Sequence, residues 1–410
     1  MHGMLASGHQ VDLLQGSLEF FPSLVQAIDL SAQEVRLETY IFSVEASGAQ
    51  VAQALERAAQ RGVKVYLVMD GAGTDRLSLE WIRRFSAAGV AWRIFSPLGG
   101  LGILIPSRWR RLHRKLCVVD GRVAFCGGIN VLDDFFDPNH GRLDLPRFDF
   151  AVRVTGPLVE SAHAALVQLW WRLQATRIVR QGDLAAAWKA LHEANKSDPD
   201  ASAHANPGSG AGNSAGKMSG TMADLVLRDN LRHRTRIERA YRQAIGEAKT
   251  DVIIANAYFL PGRKIRQGLI HAAQRGVRVR LLLQGRYEYF MQYHAARVVY
   301  GKLLASGVEI IEYRVSFLHA KVAVIDGHWA TVGSSNLDPL SLLLAREANV
   351  VVDDVAFAQK LQARLEHAMQ AEGTRVDPED YANRPLVQRL LDRVAYVIMR
   401  TLLFINGKRY

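Results

Sequence analysis

The chain is poor in cysteine, in long apolar runs and in acidic charge, and each shortage narrows what it does. Cys117 and Cys126 are the only cysteines among 410 residues. Two cannot make a disulfide framework, and no C-x-x-C spacing is present to hold zinc. The expectation is a cytoplasmic protein in which both thiols are small apolar packing residues. No stretch of about 20 apolar residues occurs, so no membrane-spanning helix is expected. The opening MHGMLASGHQVDLL lacks a basic segment followed by an apolar one, so no signal peptide is expected. Asp and Glu total 40 against 51 Lys and Arg, a formal charge of +11. That excess points to an anionic partner: nucleic acid, an acidic lipid surface or a phosphate ester. The alternative is that the charge serves solubility alone.

What is present is globular. Hydrophobic residues make up 49% and charged residues 22%, which excludes chain-wide disorder. The length suggests two or three domains of roughly 100–200 residues. One segment, Asn195 to Thr221, is built from Gly, Ser, Ala, Asn and Pro and reads as a flexible linker. It separates two halves that repeat each other. Residues 54–71, ALERAAQRGVKVYLVMDG, align without gaps on 268–285, GLIHAAQRGVRVRLLLQG, with ten of 18 positions identical. EVRLETYIF (34–42) corresponds to DVIIANAYF (251–259), and AAGVAWRIF (87–95) to ASGVEIIEY (305–313). In the first half, apolar β-branched runs at Val35–Phe42, Val63–Met69 and Val90–Phe95 predict strands. Helices are predicted over 49–61 and 78–88, stopped by Gly62 and Gly89. Strands alternating with helices predict an α/β fold: two largely parallel sheets with flanking helices, related by a pseudo-two-fold. The expected division is 1–194, a linker over 195–221, 222–383, and a tail over 384–410.

After the third strand each half carries the same constellation. The first reads His113-Arg-Lys115, Asp120-Gly, then Gly127-Gly128-Ile-Asn130. The second reads His319-Ala-Lys321, Asp326-Gly, then Gly333-Ser334-Ser335-Asn336. Both obey H-x-K-x4-D-x6-G-[GS]-x-N. A lone H-x-K carries little information, but five fixed positions occurring twice in a duplicated domain carry much. On a strand, residues two apart share a face, so His113 and Lys115 converge on one pocket. Asp120 has the opposite parity and falls at a tight turn, which predicts that Asp120 and Asp326 brace their hairpins. Two imidazoles and two ammonium groups suit phosphoryl-type chemistry: one imidazole attacks phosphorus and the other, protonated, serves the leaving oxygen. Lysines and asparagines would hold the non-bridging oxygens, work that otherwise falls to a divalent metal. No metal and no cofactor are expected.

This doubled pattern resembles the phospholipase D superfamily. The wider context is similar to bacterial cardiolipin synthases, through LETYIF (37–42), VIIANAYFLPG (252–262), HWATVGSSNLDPLSL (328–342) and LAREANV (344–350). The resemblance implies the shorter branch without preceding spanning helices, peripheral on the cytoplasmic face of the cell membrane. It implies a catalytic set of His113, Lys115, Asp120, His319, Lys321 and Asp326, with His113 as nucleophile forming a phosphohistidine and His319 as general acid, then base. Asn130, Asn336 and Ser334 would bind phosphate. Gly128 departs from the family's Gly-Ser, which would remove one phosphate contact. A carboxylate downstream of each motif would orient a histidine: Glu347 in the second half and Asp149 in the first. The other reading of Asp149 is a surface salt bridge. The implied reaction moves a phosphatidyl group between two phosphatidylglycerols to give cardiolipin and glycerol. The alternative is a phospholipase D-type hydrolase or a nuclease.

Two segments favour lipid over nucleic acid. The first half holds 12 more residues than the second between the aligned glycine and the motif histidine. The insert is a Gly-rich apolar loop followed by Arg108, Trp109, Arg110 and Arg111, which fits contact with an anionic membrane. The other reading is a loop packed on the core. In the tail, apolar residues from Leu386 to Ile405 follow helical spacing, with Arg389, Arg393 and Arg400 interspersed. That helix lies either on a membrane or against the protein or a partner. Aromatic stacking positions spread among basic groups are missing, so no nucleic-acid partner is expected.

Overall fold

The computed structural model describes residues 5–74, 76–97, 109–196, 220–229, 233, 235–288, 290–338 and 345–405. The chain runs β1 (Ala6–Gln15), α1 (Gly16–Asp29), β2 (Glu34–Thr39), α2 (Ala46–Gln60), β3 (Lys64–Asp70), α3 (Leu79–Ala88) and β4 (Ala91–Phe95). It continues with β5 (Arg111–Leu112), β6 (Lys115–Val119), β7 (Val123–Gly127), β8 (Phe136–Asp137), β9 (Gly141–Arg142), β10 (Phe150–Thr155), α4 (Leu158–Arg180) and α5 (Leu184–Lys196). The second half repeats the plan: β11 (Thr221–Arg228), α6 (Arg236–Glu247), β12 (Asp251–Asn256), α7 (Arg263–Gln274), β13 (Arg278–Gln284), α8 (Phe290–Leu304) and β14 (Glu309–Tyr313). Then come β15 (Lys321–Ile325), β16 (Trp329–Gly333), β17 (Ala345–Asp353), α9 (Val355–His367), β18 (Gly373–Arg375), α10 (Pro378–Ala382) and α11 (Leu386–Ile405). The predicted helices appear at 46–60 and 79–88; Ser78 caps the second on the Trp81 amide, and Gly89, at φ +89°, ends it.

Strand order is the same in both halves. The first reads β4-β3-β2-β6-β7-β10-β1 and the second β14-β13-β12-β15-β16-β17-β11. Parallel pairing holds for β2-β3-β4 and β12-β13-β14, while the inner strands run antiparallel. The two sheets are joined edge to edge, because β1 pairs antiparallel with β11. They also face each other. Leu116 and Val118 of β6 share one buried cluster with Val322 and Val324 of β15 and Val350 of β17. The alternate residues Cys117 and Val119 turn outward to α1, α2 and α3, and Ala323 and Ile325 to the second half's helices. The result is helix, sheet, sheet, helix, with the inter-sheet core between the halves. Each Val or Leu buried there contributes roughly 1.5–3 kcal/mol.

The expected linker lies outside the described residues over 197–219; Asn195 and Lys196 close α5, and Thr221 opens β11. The tail is not a free appendage. Ala395 and Met399 of α11 are buried in the second half's core, and buried Asp392 accepts from His294 Nδ1 at 2.8 Å and Arg384 at 3.0 Å. Tyr381 meets Arg297 and Tyr300, and Asp392 meets His294, so α11 runs antiparallel to α8 toward that helix's start. Its other face carries Leu386, Val387, Leu390, Val394, Val397 and Ile398, all exposed. No described helix is long and apolar enough to cross a membrane.

Candidate active site

Each histidine is placed by a backbone bond from the opposite half. The His113 amide donates to Arg346 O at 3.0 Å, and the His319 amide to Phe148 O at 2.9 Å. Arg346 and Phe148 immediately precede Glu347 and Asp149. The same register therefore brings each carboxylate to the other half's imidazole. His113 Nδ1 lies 3.0 Å from Glu347 Oε1, and His319 Nδ1 lies 2.6 Å from Asp149 Oδ2. The pairing is crossed, a relation that residue order alone does not contain. A carboxylate accepts, so Nδ1 of His113 carries the hydrogen and Nε2 keeps a lone pair.

The lysines line the same recess. Lys115 Nζ donates to His113 O at 2.8 Å, and Lys321 Nζ donates to His319 O while lying 3.9 Å from Asp149. Both are buried. Burial, then Lys321, pulls Lys115 down to about 7; burial pulls Lys321 down to about 8 against Asp149 and Glu347. Burial pushes Asp149 up to about 7, against the pull of Lys321. His319 is held well below the ordinary imidazole value by burial, then by Lys321 and Lys115; His113 is lowered by burial, against Glu347. Two lysines and two carboxylates thus share one buried recess.

The structure does not bring Asp120 and Asp326 to this pocket; they belong to the turns. The Asp120 carboxylate accepts from the amides of Ala32, Gln33 and Glu34, each at 2.8 Å. Asp326 does the same for Lys249, Thr250 and Asp251. Asp-Gly provides positive φ at both central turn positions, Asp120 at +51° and Gly121 at +64°. Ser334 also changes role. Its hydroxyl donates to Glu347 Oε2 at 2.5 Å and accepts from the Ala348 amide at 3.1 Å, so it braces the carboxylate instead of facing a phosphate. Gly128 is its counterpart, and a Cβ there would stand 2.3 Å from Asp149 Oδ1. The glycine makes room for Asp149, which is 2% exposed and no surface salt bridge. Asn130 accepts from the Ile41 amide at 3.1 Å, which leaves its NH2 group as a donor; Asn336 is buried at the matching place.

Of the basic insert, residues 98–108 lie outside the described residues, Arg108 included. Arg111 is no membrane contact: its guanidinium pairs with buried Asp70 at 3.0 Å and bonds Ser96. Trp109 is half-buried and Arg110 exposed. Arg114 makes a buried ion pair with Glu38. Sequence reasoning missed Tyr40, whose ring lies 5.1 Å from that of His113, and Arg147, which pairs with Asp137 at 2.7 Å and adds to the positive field on His319. Tyr40 sits in the repeated LETYIF stretch, which was the available signal. Both cysteines are buried, and burial raises their thiols. Among the described residues, no group of three or more His, Cys, Asp or Glu is arranged to hold a metal ion.

A duplicated α/β body with one histidine from each half at a shared pocket is a phospholipase D-type arrangement. Two solved structures share the fold. Phosphatidylserine synthase from Haemophilus influenzae aligns at a TM-score of 0.66 with 13% identity, over 96% of this chain and 94% of that one. Polyphosphate kinase from Porphyromonas gingivalis aligns at 0.55 with 14% identity, over 95% of this chain and 53% of that one. The cardiolipin synthase, PLD-like domain family matches residues 24–141 and 241–369. Cardiolipin synthase B from Shigella flexneri is 37% identical over 370 residues, 90% of this chain and 83% of that protein. Its Escherichia coli (strain K12) namesake is 37% identical over 372 residues. A probable cardiolipin synthase from Bacillus subtilis is 27% identical over 400 residues. The chain belongs to the cardiolipin synthase family of phospholipase D-like proteins.

Proposed function

We propose that the protein is a phosphatidyltransferase that makes cardiolipin from two molecules of phosphatidylglycerol. The observation that carries the reading is the crossed pair of imidazole–carboxylate contacts around two buried lysines, in a chain of this family. His113 Nε2 attacks the phosphorus of one phosphatidylglycerol. A nitrogen–phosphorus bond forms, the bond to the glycerol oxygen breaks, and His319 gives that oxygen its proton. A hydroxyl of the second phosphatidylglycerol then returns a proton to His319 and attacks phosphorus, and the nitrogen–phosphorus bond breaks. Glu347 holds the Nδ1 hydrogen of His113 and favours the cation that forms. Asp149 does the same for His319. Lys115, Lys321 and the Asn130 amide receive the non-bridging oxygens. The bound phosphate adds negative charge beside His319, which raises it toward the protonation it needs as an acid.

Membrane contact belongs to the same proposal. The exposed apolar stripe of α11, with Arg389, Arg393 and Arg400 exposed beside it, suits the interface of an anionic bilayer. We place the protein peripherally, on the cytoplasmic face. Purified protein incubated with labelled phosphatidylglycerol is expected to give cardiolipin and free glycerol in equal amounts. Phosphatidic acid as the sole lipid product identifies a hydrolase, and cleavage of labelled DNA identifies a nuclease; either overturns the reading.

A further inference from the structure

A shallow cleft lies at the ends of β12 and β13, lined in part by Tyr258, Gln284, Arg286, Glu288 and Gln292, close to the segment that leads into His319. Two contacts fix it there. Gln284 Oε1 accepts from the Leu318 amide at 3.1 Å, and the Arg286 guanidinium lies 4.9 Å over the Phe317 ring. Tyr258 donates its hydroxyl to Glu288 Oε2 at 2.8 Å, and the other Glu288 oxygen makes no hydrogen bond among the described residues. Burial raises Glu288 above the usual carboxylate range. The second arginine of the wall, Arg297, is neutralised by Glu312 at 2.6 Å. Arg286 has no ion pair among the described residues. The repeat makes the arrangement one-sided. The segments that follow the aligned Gly71 and Gly285 differ: Arg286 and Glu288 stand after Gly285, whereas Ala-Gly-Thr follows Gly71, and the Thr74 hydroxyl is already engaged with Tyr40 O and the Phe42 amide.

The transfer reaction needs such a one-sided site. The leaving alcohol departs opposite His113, and by microscopic reversibility the incoming alcohol occupies the same place. The two alcohols differ at their far end: released glycerol carries a free hydroxyl where the acceptor carries its own phosphate. We propose that this cleft is the alcohol site for both half-reactions, with Glu288 and Tyr258 binding glycerol hydroxyls and Arg286 binding the phosphate of the acceptor lipid. The inference rests on the phosphatidyl-transfer reading above. It makes Arg286 the residue that distinguishes a phosphorylated acceptor from free glycerol.

The test supplies phosphatidylglycerol vesicles and labelled free glycerol together. It measures cardiolipin formed against label exchanged into phosphatidylglycerol, in one tube. Arg286→Ala is expected to lower the ratio of cardiolipin to exchange about tenfold or more, and Arg286→Lys to restore most of it. Misfolded protein lowers both products alike, so the ratio is insensitive to folding. Glu288→Gln is expected to raise the KM for free glycerol several-fold. An unchanged ratio in Arg286→Ala overturns this inference and leaves the phosphatidyl-transfer reading standing. A wild-type protein that forms neither product overturns that reading, and this inference with it.

Discussion

At the scale of single residues, the site works by burying its lysines. Lys115 and Lys321 are buried cations facing one another, with titrations lowered to about 7 and about 8, and Asp149 is raised to about 7. An anion entering between them raises all three values, so binding takes up protons. Sulfate is a suitable probe because it does not titrate in this range. At pH 7.5 its binding is expected to be accompanied by net proton uptake, read by calorimetry in buffers of different ionisation enthalpy. Its affinity falls as pH rises from 7 to 9, as the lysines lose their protons. Affinity independent of pH over that range contradicts the placement of the lysines. The histidines and lysines were legible in sequence because the H-x-K pattern recurs in both halves; each histidine precedes its strand, which begins at Lys115 or Lys321, so strand parity does not place it. The duties of Ser334 and Gly128 were not legible. They depend on the unequal reach of Glu347 and Asp149, and a hydroxyl braces the longer side chain where only a glycine admits the shorter one.

At the scale of elements, the strand–helix repeat and the Asp-Gly hairpins follow from local pattern, and the structure returns them within a few residues. The two-residue strand β5 does not. Its partner is Ala345–Arg346, over 230 positions away, and no local propensity encodes a pairing of that separation. The pairing of Arg111 was hidden for a similar reason: the acid that holds it comes from the end of β3. Helix α11 docks on the body by one face and leaves the other exposed. Asp392, Ala395 and Met399 dock it on the body, and the Leu390–Val394–Ile398 stripe stays exposed. Changing those three exposed residues to Ser is expected to weaken binding to phosphatidylglycerol vesicles about tenfold. Melting temperature should hold within about 2 °C, because exposed positions contribute little to stability. Unchanged vesicle binding with a lowered melting temperature would mean the stripe is packed in solution.

At the scale of the whole molecule, duplication explains why one chain makes one site. Neither half completes its own histidine. Each supplies the imidazole and lysine of one side and the carboxylate of the other, and the β1–β11 seam and shared core hold the halves in that register. The opening charge excess is also redistributed at this scale. Arg111, Arg114 and Arg384 are paired with Asp70, Glu38 and Asp392, whereas Arg389, Arg393 and Arg400 of the tail are exposed. The two motifs have unequal surroundings, and the proposed mechanism gives them unequal roles. The most direct measurement is therefore the covalent one: wild-type and His319→Gln protein are exposed to phosphatidylglycerol, quenched without acid and mapped by mass spectrometry. The account predicts a phosphatidyl adduct on His113, longer-lived in the variant, and none on His319 in the wild type. An adduct on His319, or cardiolipin formed at full rate by His113→Ala, contradicts it.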